Sequence, residues 1–283
     1  ILFGFGCGFA YNTALQSAQV AMPGRPGLAN GIIISAFATG SIIAAYVLSA
    51  SIGMNGVATT FWLQAVTVAG VALIASILLG LSGLQLDKTV PLRSSNANLH
   101  ILHISWLGFF LGALAGVLAI GHAAPIISHF GGTAAAAVLG VTLLGFGNAA
   151  GRLAAGWLSD YISVRSVAGI AHVAGSIGFV VVLANPGSEG AVITMAMAGL
   201  AYGMTAGVYP SAITIFMGRA GYGRNFAILL TAWGAAGLLG PMLGGYFFDI
   251  SGDYRISLEF ACVASMFAVI NAMRLPRAKF KDV

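Results

Sequence analysis

Few side chains in this sequence can do chemistry, and Arg152 is foremost among them. It lies eight residues before Asp160 inside an apolar run, roughly 12 Å deep for a helix rising about 1.5 Å per residue. No Asp or Glu sits at comparable depth. Burying a lone guanidinium in hydrocarbon costs several kcal/mol, whereas a carboxylate can be gripped through two parallel hydrogen bonds. An anionic substrate or a set of helix carbonyls would satisfy the charge, and the residues leave both readings open. Trp233, nine residues past Arg224, reaches about 13 Å from the same side, matching Arg152 in depth. It can wall a pocket, stack on Arg152 through its ring face, or simply pack.

His122, just before Pro125, can donate to a carboxylate or titrate, or serve as a bonded helix-end residue. His172 reads as a packing or backbone-bonded residue. Asn12, Gln16 and Gln19 fall on roughly one helical stripe, which must face a cavity or a neighbouring helix. Tyr209 precedes Pro210, which can break a helix and free carbonyls beside a pathway. Cys7 and Cys262 are isolated in apolar runs and read as packing thiols. No His-x-x-x-His or Cys–His cluster points to a metal, and no Gly-Lys-Ser/Thr follows a glycine run, so neither metal, cofactor nor ATP chemistry is expected.

The elements that must position these residues are membrane helices. Charged residues make up 7% of the 283 residues and hydrophobic ones 59%, with 40 glycines. Mean hydropathy is +0.96. A soluble surface needs far more charge, and continuous apolar runs argue against a β-barrel. Small residues instead suit close helix packing in lipid; the runs Gly4/Gly6/Gly8, Gly108/Gly112/Gly116 and Gly234/Gly237/Gly240/Gly244 read as packing surfaces. The net charge of +5 is spread singly between apolar runs, so no nucleic acid is expected.

Hydropathy predicts an all-α polytopic protein with spans near 1–21, 28–50, 58–82, 103–127, 134–158, 166–184, 191–216, 225–247 and 256–274. Alternate connections and the tail carry Arg25, Lys88, Arg93, Arg165, Arg219, Arg224, Arg274, Arg277, Lys279 and Lys281, ten of the twelve Lys and Arg residues. That asymmetry predicts a cytoplasmic C-terminus; the expected location is the plasma (inner) membrane. Gly8-Phe9-Ala10-Tyr11 recurs as Gly199-Leu200-Ala201-Tyr202, and Asn30 recurs as Asn225. The offset equals six spans, which predicts a parallel repeat. Residues 1–82 then form the last three helices of an N-terminal half, 83–102 a central cytoplasmic loop, and 103–283 a six-helix C-terminal half with its tail. The start at Ile1 without Met fits a chain that lacks the first three of twelve helices.

With those loops located, Gly156-Trp157-Leu158-Ser159-Asp160-Tyr161-Ile162-Ser163-Val164-Arg165 resembles the G-x-L-x-D-R-x-G-R-R loop of the major facilitator superfamily, departing at Tyr161 and Ser163. Gly121-His122-Ala123-Ala124-Pro125-Ile126, Tyr209-Pro210-Ser211 and Thr231-Ala232-Trp233-Gly234 resemble its oxalate/formate antiporter-like, monocarboxylate transporter-like branch. The resemblance implies alternating access between two helical halves, with Gly156, Asp160 and Arg165 in a gate. It also implies substrate contact at Arg152, and an aromatic role for Tyr11 and its repeat counterpart Tyr202. Where dicarboxylate members carry a second cation, this sequence has Trp233.

The expected function is therefore secondary active or exchange transport of small organic anions, monocarboxylates above all, and not an enzyme activity. The candidate substrate-binding residues are Arg152, Trp233, His122, Tyr11, Gln16, Tyr202 and Tyr209. Expected partners are the anion, the lipid bilayer, and a coupling proton or counter-anion, with the carrier a monomer. A transporter-like sensor, or a membrane enzyme with its site in the missing helices, are the alternatives.

Overall fold

A computed structural model describes residues 2–85 and 96–279. Among these, every regular element is helical: α1 (Leu2–Ala21), α2 (Pro26–Leu81), α3 (Asn96–Gly121), α4 (Ala123–His129), α5 (Ala134–Ser159), α6 (Val164–Ala184), α7 (Ser188–Ser251) and α8 (Arg255–Ala272). Helix is what an apolar solvent demands, because each backbone N–H and C=O must be satisfied within the segment. Local signals set the ends. Thr133 and Ser163 accept the N–H of Ala136 and Ser166 at 3.2 Å each, and Pro26 opens α2 where a missing N–H costs nothing.

Seven segments of the described residues are long and apolar enough to cross a bilayer. The first helix is not among them, since Asn12, Gln16 and Gln19 dilute its apolar character. Two connections expected as loops are replaced by single-residue breaks. Residues 51–57 continue α2 apart from Gly56 (φ 75°), and residues 217–224 continue α7 apart from Gly218 (φ 71°). Both glycines have left-handed φ that a side chain would strain, so each reverses the chain with no loop at all. Pro210, which can break a helix, does not do so here: α7 runs through it and Pro241. The central-loop residues 86–95 and Lys281 lie outside the described residues, so the charges of Lys88 and Arg93 are not placed.

The first arm of α7 (Ser188–Gly218) is the hub, packing on α3, α5 and α6. Its seam with α5 is made by glycines. A Cβ at Gly147 or Gly151 would strike the backbone of Ala196, Leu200 or Met204, and one at Gly199, Gly203 or Gly207 would strike the carbonyls of Leu144, Asn148 or Arg152. Backbones in such contact are how apolar helices bind each other without a hydrophobic driving force. The stripe Gly108/Gly112/Gly116 on α3 behaves as expected, receiving Tyr209, His172 and Tyr202 in turn. Gly240 and Gly244 likewise meet α3 and His122. Gly4, Gly6, Gly8, Gly234 and Gly237 meet nothing within 4 Å among the described residues.

Candidate functional site

The α5–α7 seam fixes the first functional pair. Because the backbones touch, Arg152 on α5 lies beside Tyr202 on α7, with its guanidinium carbon 5.6 Å from the ring centroid. Arg152 is 7% exposed, so the contact is desolvated and worth more than a surface cation–π pair. Its Nε donates to Asn148 Oδ1 at 2.9 Å, one turn back on the same helix, and Nη1 donates to the Ile34 carbonyl of α2 at 3.3 Å. These two bonds leave guanidinium donors over, and no carboxylate pairs with Arg152 among the described residues.

Above Tyr202, the Trp233 indole N–H donates to the Tyr202 hydroxyl at 2.6 Å. A chain Trp233–Tyr202–Arg152 thus locks the guanidinium in place. It borders a cavity of about 340 Å³ lined by Arg152, Trp233, Tyr11, Phe37, Phe109 and Phe226, with Cys7, Ala206, Pro210 and Leu230 among the rest. That volume falls in the range of ordinary small-molecule sites. Tyr11 stacks obliquely between Phe37 and Phe226, with ring centroids 5.3 and 5.9 Å away.

Three of the seven expected binding residues, Arg152, Trp233 and Tyr11, therefore share one cavity, and Tyr202 supports two of them. The other three lie elsewhere. Gln16 donates to Asn12 at 3.0 Å, and Asn12 to the Gly223 carbonyl, so this stripe ties α1 to the second arm of α7. Gln19 extends it, bonding Asn30 of α2 at 2.9 Å and accepting from Thr214 at 3.3 Å. His122 bonds the Leu118 carbonyl at 3.2 Å and packs on Tyr254, away from the cavity lining. Tyr209 is wholly buried, its hydroxyl 2.9 Å from His172 Nε2, and stacks on Phe109 behind the cavity wall. His172 thus bonds a side chain where a backbone bond or plain packing was expected. Cys7, expected as a packing residue, is exposed on the cavity, while Cys262 is buried.

The loop segment builds a second constellation. Asp160 caps α5, and its two carboxylate oxygens accept the N–H groups of Gly27 at 2.8 Å and Leu28 at 2.9 Å. An anion here meets the positive end of the α2 dipole. Burial nevertheless pushes the Asp160 carboxyl above its ordinary range, against the opposing pull of those two donors and of Arg25. Gly156 makes the approach possible: it presses on Gly27 and Gly31 so closely that a Cβ on Gly156 or Gly27 would strike opposing backbone, and one on Gly31 would be tightly crowded. Arg165 stands in the first turn of α6 and has no hydrogen bond or ion pair among the described residues.

Asn148, Phe37 and Phe226 were missed in the sequence. Asn148 carried a usable signal, lying four residues before Arg152 on the same helical face. The two phenylalanines carried none, being identical in type to lipid-facing ones.

No known protein-family profile matches the chain. It is 27% identical to monocarboxylate transporter 11 of Homo sapiens over 98% of this chain and 62% of that protein. It is 22% identical to the oxalate:formate antiporter of Oxalobacter formigenes over 86% of this chain and 60% of that one. The chain thus spans about three fifths of the length of these curated relatives. Among solved structures it is similar to the major facilitator superfamily transporter FucP in its outward conformation, with a TM-score of 0.74 at 13% identity over 97% of this chain and 74% of that one. A second FucP structure, of the E. coli fucose:proton symporter, gives a TM-score of 0.70 over 93% of this chain and 74% of that one.

Proposed function

We propose that this chain, which has the fold of the major facilitator superfamily, works as a membrane carrier of monocarboxylates by alternating access. The observation that carries the reading is Arg152: a buried guanidinium on a cavity wall, held rigidly by Asn148 and Tyr202, with donors to spare and no acidic partner among the described residues. A carboxylate is the partner that such a group lacks. The names of the two curated relatives support a small organic anion, one naming monocarboxylates and the other formate together with the dicarboxylate oxalate. Trp233 stands where a second cation would hold a second carboxylate, and its N–H is already committed to Tyr202. A dianion would bring a charge without a partner into this site, at a cost of several kcal/mol.

In this reading, Asp160 on the N-terminus of α2 and the Asn30–Gln19–Thr214 bonds close the cytoplasmic end while the cavity faces outward. Residues 1–82 close an N-terminal half and 103–283 form the C-terminal half, with the tail in the cytoplasm. Tyr11 and Tyr202, counterparts in the repeat, flank Arg152 from α1 and α7, which supports that division. His122, near the far end of α3, is kept as a candidate proton site; otherwise coupling is by counter-anion.

The test is counterflow in proteoliposomes. Vesicles loaded with unlabelled pyruvate should accumulate labelled pyruvate, and Arg152→Gln should abolish this while Arg152→Lys keeps a fraction. Saturable binding without counterflow would mark a sensor. Counterflow undiminished in Arg152→Gln would refute the assignment of the anion site.

A further inference from the structure

Resting on that reading of the cavity, we infer that the preferred substrate is an arylalkyl monocarboxylate: one carboxylate carrying an aromatic body, not a two- or three-carbon acid. The argument begins with size. A single water needs about 10–15 Å³ of such space, and the cavity offers about 340 Å³. A formate or a pyruvate on Arg152 would leave most of that volume to water against apolar walls.

The chemistry of those walls is the second point. Beyond Arg152, the lining is dominated by rings contributed from four elements: Tyr11 on α1, Phe37 on α2, Phe109 on α3, and Phe226 with Trp233 on α7. The ring of Tyr11 already packs at a tilt against Phe37 and Phe226, so three of the five rings form one aromatic surface ready to receive another ring. Phe37 is 54% exposed and Trp233 42%, so both present faces rather than being consumed by packing.

The third point is what the walls do not offer. The Trp233 N–H is spent on Tyr202, and Arg152 Nε on Asn148. A polyhydroxylated body, such as the sugar named for the structurally similar fucose symporter, would bury more hydroxyls than the spare Arg152 donors and the Tyr11 hydroxyl can pair. The Tyr11 hydroxyl has no hydrogen-bond partner among the described residues and remains for the head of the substrate, where it can meet a 2-oxo or 2-hydroxy group beside the carboxylate.

The experiment compares phenylpyruvate with pyruvate, two acids that share a head and differ only in the ring. Each is titrated against the native protein in proteoliposomes, reading competition with labelled pyruvate counterflow. The expected result is a half-inhibitory concentration at least tenfold lower for phenylpyruvate, equivalent to about 1.4 kcal/mol. Phe37→Ala should bring the ratio towards one, and Phe146→Ala, an exposed residue of α5 outside the cavity lining, should leave the ratio as it was. Equal or weaker competition by phenylpyruvate, with both acids still dependent on Arg152, would overturn this inference and leave the monocarboxylate reading standing. Failure of both acids to compete would instead overturn the reading beneath it. Should Phe37→Ala fail to fold, Phe37→Leu, which keeps the volume but not the ring, gives the same comparison.

Discussion

Adding one methyl group at Gly156 should force α2 and α5 apart. A Cβ built there would stand 2.5 Å from the Gly27 carbonyl oxygen and 2.6 Å from Gly31 Cα, and both are backbone atoms that cannot swing aside. Carbon atoms rest comfortably at about 3.5–4.0 Å, so the helices would have to separate by about 1 Å. That displacement would stretch the Asp160 bonds to Gly27 and Leu28 from 2.8 and 2.9 Å to beyond hydrogen-bonding distance. Overpacking alone costs about 1–3 kcal/mol, and each bond to a charged acceptor about 1.5–3 kcal/mol. Since the helices can tilt and spare some of this, Gly156→Ala should cost about 3 kcal/mol. At roughly 2–4 °C per kcal/mol, the melting temperature should fall by about 6–12 °C. The measurement is thermal unfolding in detergent followed by loss of the monodisperse peak. Gly169→Ala on α6, where nothing lies within 4 Å, serves as the control and should be neutral or slightly stabilising. If Gly156→Ala melted within about a degree of wild type, the backbone crossing of α2 and α5 would be refuted, and with it the docking of Asp160.

Three further outcomes are expected. Trp233→Lys removes the bond to Tyr202 and adds a second cation to the cavity, so oxalate should gain at least tenfold on pyruvate in competition, about 1.4 kcal/mol; an unchanged ratio would remove Trp233 from the site. Cys7, exposed on the cavity, should react with a charged methanethiosulfonate and be protected several-fold by a bound monocarboxylate, whereas buried Cys262 should not react; labelling of Cys7 indifferent to substrate would place the anion elsewhere. Cysteines introduced at Asn185 and Arg224, both exposed, should be labelled from opposite sides of the membrane, the second from the cytoplasm; labelling from one side would overturn the orientation.

Depth along a helix was what made the centre of the site readable from sequence. Arg152 and Trp233 lie equally far from charged loop residues, and the fold brings them to the same cavity through Tyr202. What depth cannot supply is azimuth. The stripe of Asn12, Gln16 and Gln19 was recognisable as polar, but whether it faced a cavity or a helix depended on where α7 passed, and it faces α7 and α2. Tyr209 illustrates the same gap: one residue from Pro210 on the cavity, it points instead to His172. Helix existence followed from apolar run length, and the connections expected at residues 51–57 and 217–224 contain the breaks at Gly56 and Gly218. That each break is one left-handed glycine in place of a loop did not follow, because hydropathy carries no φ. The Gly156 motif was visible by resemblance; its physical office, letting two backbones touch, needed the second helix in view.

The seam between α5 and the first arm of α7 bears on how freely this gene can drift. At Gly147, Gly151, Gly199, Gly203 and Gly207 a side chain of any kind begins with an atom that collides with an opposing main chain. No amino acid is smaller than glycine, so every missense change in these codons adds matter to a place that holds none. The pocket walls, by contrast, are side chains that exchange for one another at modest cost. Under the proposed reading, descendants of this sequence can acquire new cargo by trading rings around Arg152, while the seam that holds Arg152 against Tyr202 admits no such exchange.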